Sequence, residues 1–341
     1  MSRANQSRRI WTLTLMAMAS VANVALSADD KWVVLEGKDG PGKGKHIVFV
    51  TGDEEYRSEE SMPALAKILA VHHGFKCTVL FGIDKSDGTI NPCQIDNIPG
   101  LENLETADLM VMFLRFRELP DEDMKRILDY TNSGKPIVAL RTSTHPFFYQ
   151  KRKDSPYAKY TWNNPQADFK GGYGRQVLGE TWVNHYGIHG TESTRGLIAP
   201  GMENHPITRG VKDIWGPSDV YQLTTLHGDC QPVVLGQVLK GMKPDDEPNT
   251  AKKQYPVAWI KTFTFTSGKP SRIFTTTMGH ADDLKSEGLR RLLVNACFWG
   301  LTMEEQIPAA AKVDFVTPYN PVPIGYCKYK KGLKPADHKV Q

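Results

Sequence analysis

Beyond its first 27 residues the chain has no apolar run long enough to cross a bilayer, no Cys-x-x-Cys pair and no internal repeat. A membrane-spanning body, a thiolate zinc knuckle and a repeat array are therefore not expected. Charge of one sign is also scarce. The formal net charge is only +4, part of it in the leader, and nothing in it suggests a nucleic-acid-binding face. The five cysteines (Cys77, Cys93, Cys230, Cys297 and Cys327) are scattered and odd in number. Cys77 and Cys297 lie in apolar runs and read as buried small hydrophobes. A disulfide involving Cys93, Cys230 or Cys327 suits an oxidising compartment, but spacing does not choose the pair.

What is present begins with a leader. Arg3, Arg8 and Arg9 precede a mostly apolar stretch from Ile10 to Leu26, and Ala25 and Ser27 make a small-x-small cleavage signal. Residues 1–27 are expected to be a secretory signal peptide, and Ser7–Trp11 resembles a twin-arginine signal as much as an ordinary one. The mature protein is expected to be soluble and periplasmic or secreted. About 310 of the 341 residues remain, enough for one large domain or two small ones with a sizeable core.

From residue 45 strand and helix alternate. His46–Thr51 is a continuous apolar run suited to a strand buried on both faces. A helix is predicted over Ser58–Gly74, with Ser58 as cap, Met62, Leu65, Ala66 and Leu69 as its apolar stripe and Gly74 as its stop. Phe75–Phe81 and Leu109–Phe113 read as strands, Pro120–Ser133 as a helix and Pro136–Leu140 as a strand. This order implies an α/β domain with a mostly parallel sheet and right-handed crossovers. Residues 142–221 are rich in Gly, Pro, Asn and aromatics and read as an irregular elaboration over the site. Extended segments follow at Val233–Leu239, Val257–Phe265 and Arg272–Thr277, then a deeply packed helix over Ser286–Gly300. The domain is expected to end near residue 305. The Pro-, Lys- and Tyr-rich tail 306–341 is expected to wrap the surface or stay partly unstructured.

Pro136–His145, PIVALRTSTH, runs an apolar strand into a sharp polar turn, the place where α/β domains put a nucleophile or a ligand-binding group. Here that residue is Arg141, which cannot be a nucleophile. VTGDEEYRSEE after the first strand, PIVALRTSTH, NHPITRG at Asn204–Gly210, DVY at Asp219–Tyr221 and RIFTTTMGH at Arg272–His280 together resemble the ThuA-like (trehalose-utilisation) family, over roughly Lys45–Gly300. The resemblance implies a flavodoxin-like, class I glutamine amidotransferase-like α/β fold with helices on both faces, and a link to disaccharide or keto-sugar metabolism. Arg141 stands where an amidotransferase has its cysteine and where many ThuA-like proteins have a histidine. With no cysteine near it, glutamine hydrolysis is not expected. His280 with Asp282 resembles the amidotransferase His-x-Glu pair, Asp replacing Glu.

Loops at the carboxyl edge of a parallel sheet converge on one crevice. Strand one brings Asp53, Glu54, Glu55, Tyr56 and Arg57; later strands bring Arg115, Arg117, Arg141, His145 and His280. Either these ions satisfy each other, or the arginines fix a sugar hydroxyl, carboxylate or sulfate. In the second case Glu54 or Glu55 and His280 move protons beside a carbonyl, as in an isomerase, epimerase or lyase, with Arg141 and Arg115 steadying enolate charge. His185, His189, Asp219 and Tyr221 complete the candidate substrate-binding set. His185 and His189 are spaced by four, but Gly187 between them and the absence of helical periodicity favour hydrogen-bonded loop histidines over metal ligands. A loop can still bring both to a metal with His145 or His280 and a carboxylate. No cofactor is expected, the partner is a small carbohydrate, and a homo-oligomer is allowed. The alternatives are a non-catalytic sugar-binding or scaffold protein, and a metal-dependent hydrolase.

Overall fold

The computed structural model describes residues 31–223 and 225–340; the signal-peptide reading falls outside them. In chain order the strands are β1 (Trp32–Leu35), β2 (His46–Gly52), β3 (Lys76–Leu80), β4 (Leu109–Leu114), β5 (Ile137–Leu140), β6 (Asn184–His185), β7 (Thr194–Ile198), β8 (Ile214–Gly216), β9 (Tyr221–Gln222), β10 (Gln231–Val238), β11 (Tyr255–Thr264) and β12 (Pro270–Thr276). The helices are α1 (Ser58–His73), α2 (Asp121–Asn132) and α3 (Glu287–Gly300). Every residue of β2, β4 and β5 is buried, as unbroken apolar runs demand when both faces of a sheet are covered.

One ten-stranded sheet carries the molecule, in the order β1-β3-β2-β4-β5-β12-β11-β10-β7-β8. Its centre, β3-β2-β4-β5-β12, is parallel throughout. The remaining neighbours pair antiparallel, so the sheet is mixed. Helices α1 and α3 pack on one face against Ile47, Phe49, Val111 and Phe274. Helix α2 packs on the other, against Val48, Val50, Met110 and Met112. Alternate residues of the same strands thus feed two cores, which is the period-two rule applied to a doubly covered sheet.

Three local expectations change. Ser58 does not cap α1: the cap position is Arg57, with φ 63°, and Ser58 Oγ instead accepts the Asp53 N–H at 3.1 Å. The stretch 142–221 is not merely irregular. It adds β7 and β8 to the sheet and a two-stranded ribbon, β6 with β9. His72 and His73, expected from their place at the end of a predicted helix only to complement its negative terminus, also bond the tail: their Nε2 atoms lie 2.9 and 2.8 Å from the carbonyls of Asp314 and Lys312. The tail wraps: Ile307, Ala311 and Val313 are buried, and Arg290 donates to Val313 O at 2.7 Å. A disulfide joins Cys93 to Cys327, while Cys77, Cys230 and Cys297 are free.

The chain runs outward from β2 to β3, then returns to start β4 on the other side of β2. Such a reversal opens a crevice at the carboxyl ends of the two diverging strands. The loops after β2, β4, β5 and β12 all end there.

Candidate functional site

Six non-glycine residues among those described have φ in the left-handed region, and four surround this crevice: Arg57 (63°), Phe116 (49°), Arg141 (45°) and Cys327 (53°). Each such residue costs on the order of 1–3 kcal/mol and persists only where its surroundings fix it. Here side-chain bonds fix Arg57 and Arg141, the disulfide and an amide bond fix Cys327, and an amide bond to His145 O fixes Phe116.

The floor is built on Arg141. Its guanidinium lies between the rings of Tyr221 and Tyr56, with its carbon 4.1 and 4.6 Å from their centroids. Nη1 donates to the carbonyls of Asp219 and Thr277, both at 2.9 Å, and Nη2 to Asp219 Oδ1 at 2.8 Å. Arg141, Tyr56, Tyr221 and Asp219 are all buried. Burial pushes the Tyr56 hydroxyl up to about 12. Burial would raise the Asp219 carboxyl, but Arg141 and the histidine hydrogen bonds outweigh it and hold it well below the usual carboxylate range. The elbow arginine therefore spends its hydrogen bonds inside the protein and supports the site from beneath.

One wall belongs to the loop after β2. Asp53 is buried and accepts the Glu55 N–H at 2.7 Å, the Tyr56 N–H and the Thr142 hydroxyl. Glu54 is clamped by Arg115 on one oxygen and Arg117 on the other. Arg117 is buried, with further bonds to the carbonyls of Arg115 and Pro92. Glu55 meets one arginine, Arg115, at 3.1 Å. Burial raises its carboxyl and Arg115 opposes the rise. Arg57 is buried and bonds the carbonyls of Glu54, Glu55 and Gly325.

Opposite stand the histidines. His185 Nδ1 lies 2.6 Å from Asp219 Oδ2 and His189 Nδ1 lies 3.1 Å from Asp219 Oδ1, so the loop histidines are hydrogen-bonded, as expected. His280 Nδ1 accepts the Asp282 N–H at 2.8 Å. That bond puts the ring proton of the neutral form on Nε2. Burial lowers its basicity against the pull of Asp283 and Asp282, so the neutral imidazole is the form present at neutral pH. His145 is also buried, among Phe116, Trp182 and Tyr221. Desolvation, with Arg115 and Arg141 nearby, holds it well below the usual histidine value. The unfolded chain then binds a proton that the folded one refuses. His145 contributes stability above about pH 6.5 that is lost as pH falls towards its folded value. His145→Gln is expected to flatten the acid side of a stability–pH curve; an unchanged slope would show that His145 is not the group titrating.

One rim residue carries no sequence signal of its own. Tyr326, in the tail, is 61% exposed, yet its ring sits 4.8 Å from the Arg115 guanidinium carbon and its hydroxyl accepts from Nη2. Its neighbours are fixed: Gly325 N–H donates to Glu55 O at 2.9 Å, Cys327 N–H donates to Glu54 O at 2.8 Å, and Cys327 is disulfide-bonded. Only the long-range pairing of the tail with the β2 loop makes Tyr326 a site residue. Trp182 and Trp162, partly exposed and 5.7 Å apart, continue the aromatic rim.

In sum, the mouth is lined by Glu55, Arg115, His185, His189, Trp182 and Tyr326. Asp53, Tyr56, Arg57, Arg117, Arg141, Asp219 and Tyr221 form the buried layer behind it.

No curated protein matches the chain. Among solved structures, a ThuA-like protein of Parabacteroides merdae ATCC 43184 is 16% identical with a TM-score of 0.48, covering 88% of this chain and 100% of its own. A ThuA-like protein of Bacteroides uniformis ATCC 8492 is 16% identical with a TM-score of 0.45, covering 77% of this chain and 92% of its own. The ThuA family, described as trehalose utilisation, matches residues 45–300. That span runs from the approach to β2 through the end of α3, and the chain belongs to the ThuA family.

Proposed function

We propose that this protein is an exported, carbohydrate-directed ThuA domain, of the flavodoxin and class I glutamine amidotransferase kind of fold, that moves a proton beside the carbonyl of an oxidised sugar. The observation that carries the reading is the division of labour between the two glutamates. Burial raises both carboxyls, but Glu54 is held by two arginines, whereas Glu55 meets only one and keeps an oxygen for chemistry. A carboxylate shifted towards neutrality and a neutral imidazole are the groups that general acid–base work uses. Glu55 takes the proton from carbon, Arg115 balances the charge that develops on the carbonyl oxygen, neutral His280 steadies that oxygen by donating a hydrogen bond from Nε2, and Glu55 gives the proton back to the neighbouring carbon. The strand order of the parallel core, numbered by chain position as 2-1-3-4-5, is the flavodoxin-like one and supports the fold reading. The Cys93–Cys327 disulfide fits an oxidising compartment and supports export.

The test is a thermal-shift screen against neutral, 3-keto and acidic sugars, with product analysis of any that bind. Saturation at a hundredfold excess over Kd stabilises the fold by about 2.7 kcal/mol. Glu55→Gln and His280→Ala are each expected to lower kcat by roughly 100- to 10,000-fold while ligand still binds. Because the Glu55 carboxyl is raised, the acid limb of kcat/KM is expected above pH 4.5 and is expected to vanish in Glu55→Gln. Unchanged turnover in both variants would discard the roles. The exposed aromatic rim of Tyr326, Trp182 and Trp162 favours a second reading, a sugar-binding protein without chemistry. It predicts the same shift with no product.

A further inference from the structure

We propose that His185, His189 and Asp219 form a site for one divalent transition-metal ion at the mouth of the crevice. One donor atom from each of the three lies within 4.8 Å of the other two. Donors around a single zinc ion, with bonds of about 2.0–2.1 Å, sit roughly 3.3 Å apart. The adjustment needed is small: both imidazoles, about a third exposed, exchange their bonds to Asp219 for bonds to the ion.

Charge balance alone does not explain the arrangement. Arg141 already gives Asp219 a full positive partner at 2.8 Å and a second bond through the Asp219 carbonyl. Two further imidazoles, one on β6 and one in the loop that follows it, converge on the same carboxylate. Two histidines and one carboxylate are a catalytic-type donor set, which leaves positions open for water or a sugar oxygen.

The surroundings hold these donors in place. Arg141 orients the carboxylate, as outer partners of metal ligands do. Trp182 and Tyr221 pack on His185 with centroids 5.7 and 5.6 Å away, and Tyr56 packs on His189 at 6.0 Å. The loop after β6 is braced from outside: Glu192 accepts the Ile188 N–H at 2.7 Å and pairs with Lys252. Gly187 lets this loop lie so close, since a Cβ there would meet the Asp219 Cβ at 3.0 Å and Val220 N at 3.2 Å. A glycine between two ligands is what close backbone approach to the third requires.

Metal uptake needs no substrate, so it is measured independently of any carbohydrate. Mature protein purified without chelators is dialysed to equilibrium against Zn²⁺ or Co²⁺ and its metal content measured. One ion per chain is expected, with Co²⁺ giving visible absorption bands, and a thermal shift that grows with metal concentration. The His185→Gln/His189→Gln double variant is expected to lose the ion and the bands. His205→Gln, at a turn elsewhere, is expected to keep both. If the double variant does not fold, His189→Gln alone, at the more exposed ligand, is expected to weaken Co²⁺ binding at least tenfold. Substoichiometric uptake by the wild type, or equal uptake by the folded His variants, would overturn the site.

Discussion

Asp219→Ala is expected to cost roughly 3–5 kcal/mol of folding stability, the range seen when one member of a buried ion pair is removed. The reason lies in what remains. Arg141 is completely buried between Tyr56 and Tyr221, and its Nε has no hydrogen-bond partner among the described residues even with Asp219 present. Without the carboxylate, Nη2 joins it, and a full charge is left with two backbone carbonyls. His185 and His189 lose their common acceptor in the same step. Asp219→Asn keeps the shape and one acceptor and is expected to cost less. Urea unfolding of the three proteins, at constant m-value, measures the difference. A loss below about 1 kcal/mol for the alanine variant would mean that water reaches Arg141 and that the buried layer is not what holds the crevice.

That layer also marks the limit of what the sequence discloses. β2, β4 and β5 are legible because unbroken apolar runs bounded by turn residues have one physical outcome, a strand covered on both faces. Arg141 is legible as an elbow for the same reason: it follows such a run directly. Whether its guanidinium faces a ligand or an aspartate 78 residues away is a question of pairing, and local pattern carries no pairing information. The β7 and β8 strands escape for a different reason. Thr194–Ile198 is mostly half-buried near one edge of the sheet, so it shows neither an apolar run nor strict alternation. Tyr326 is the extreme case. A tyrosine in a Pro- and Lys-rich tail looks like surface until the Gly325 and Cys327 amides are found bonded to the loop after β2. Glu54 and Glu55 show the same limit: adjacent in sequence and chemically identical, they separate only by how many arginines each one meets.

Replacing Cys93 and Cys327 together by serine, or reducing their bond, is expected to cost about 2–4 kcal/mol and to loosen one wall of the crevice. The bond links positions 234 residues apart, so its removal returns considerable freedom to the unfolded chain. It also releases the tail where it meets the site. Gly325 and Cys327 remain tied by two amide bonds to the Glu54–Glu55 loop and by Arg57 to the Gly325 carbonyl, but nothing covalent then opposes their opening. Tyr326 is expected to leave Arg115, and Arg115 to keep its two glutamates and the Phe116 ring. Cys77 and Cys297 are buried and Cys230 is not paired, so a reductant acts on this one bond. Hydrogen exchange reads the result by segment: uptake around residues 319–330 is expected to rise while β2 and β4 stay protected. Tyr326→Ala, with the disulfide intact, separates the wall from the clasp. Under the proposed carbohydrate function it is expected to lower affinity for the sugar found by the thermal-shift screen without the stability loss, since an exposed ring contributes little to the fold. Unchanged exchange and a cost below 1 kcal/mol in the serine variant would show that the hydrogen bonds alone hold the tail, and that Tyr326 keeps its place without the disulfide.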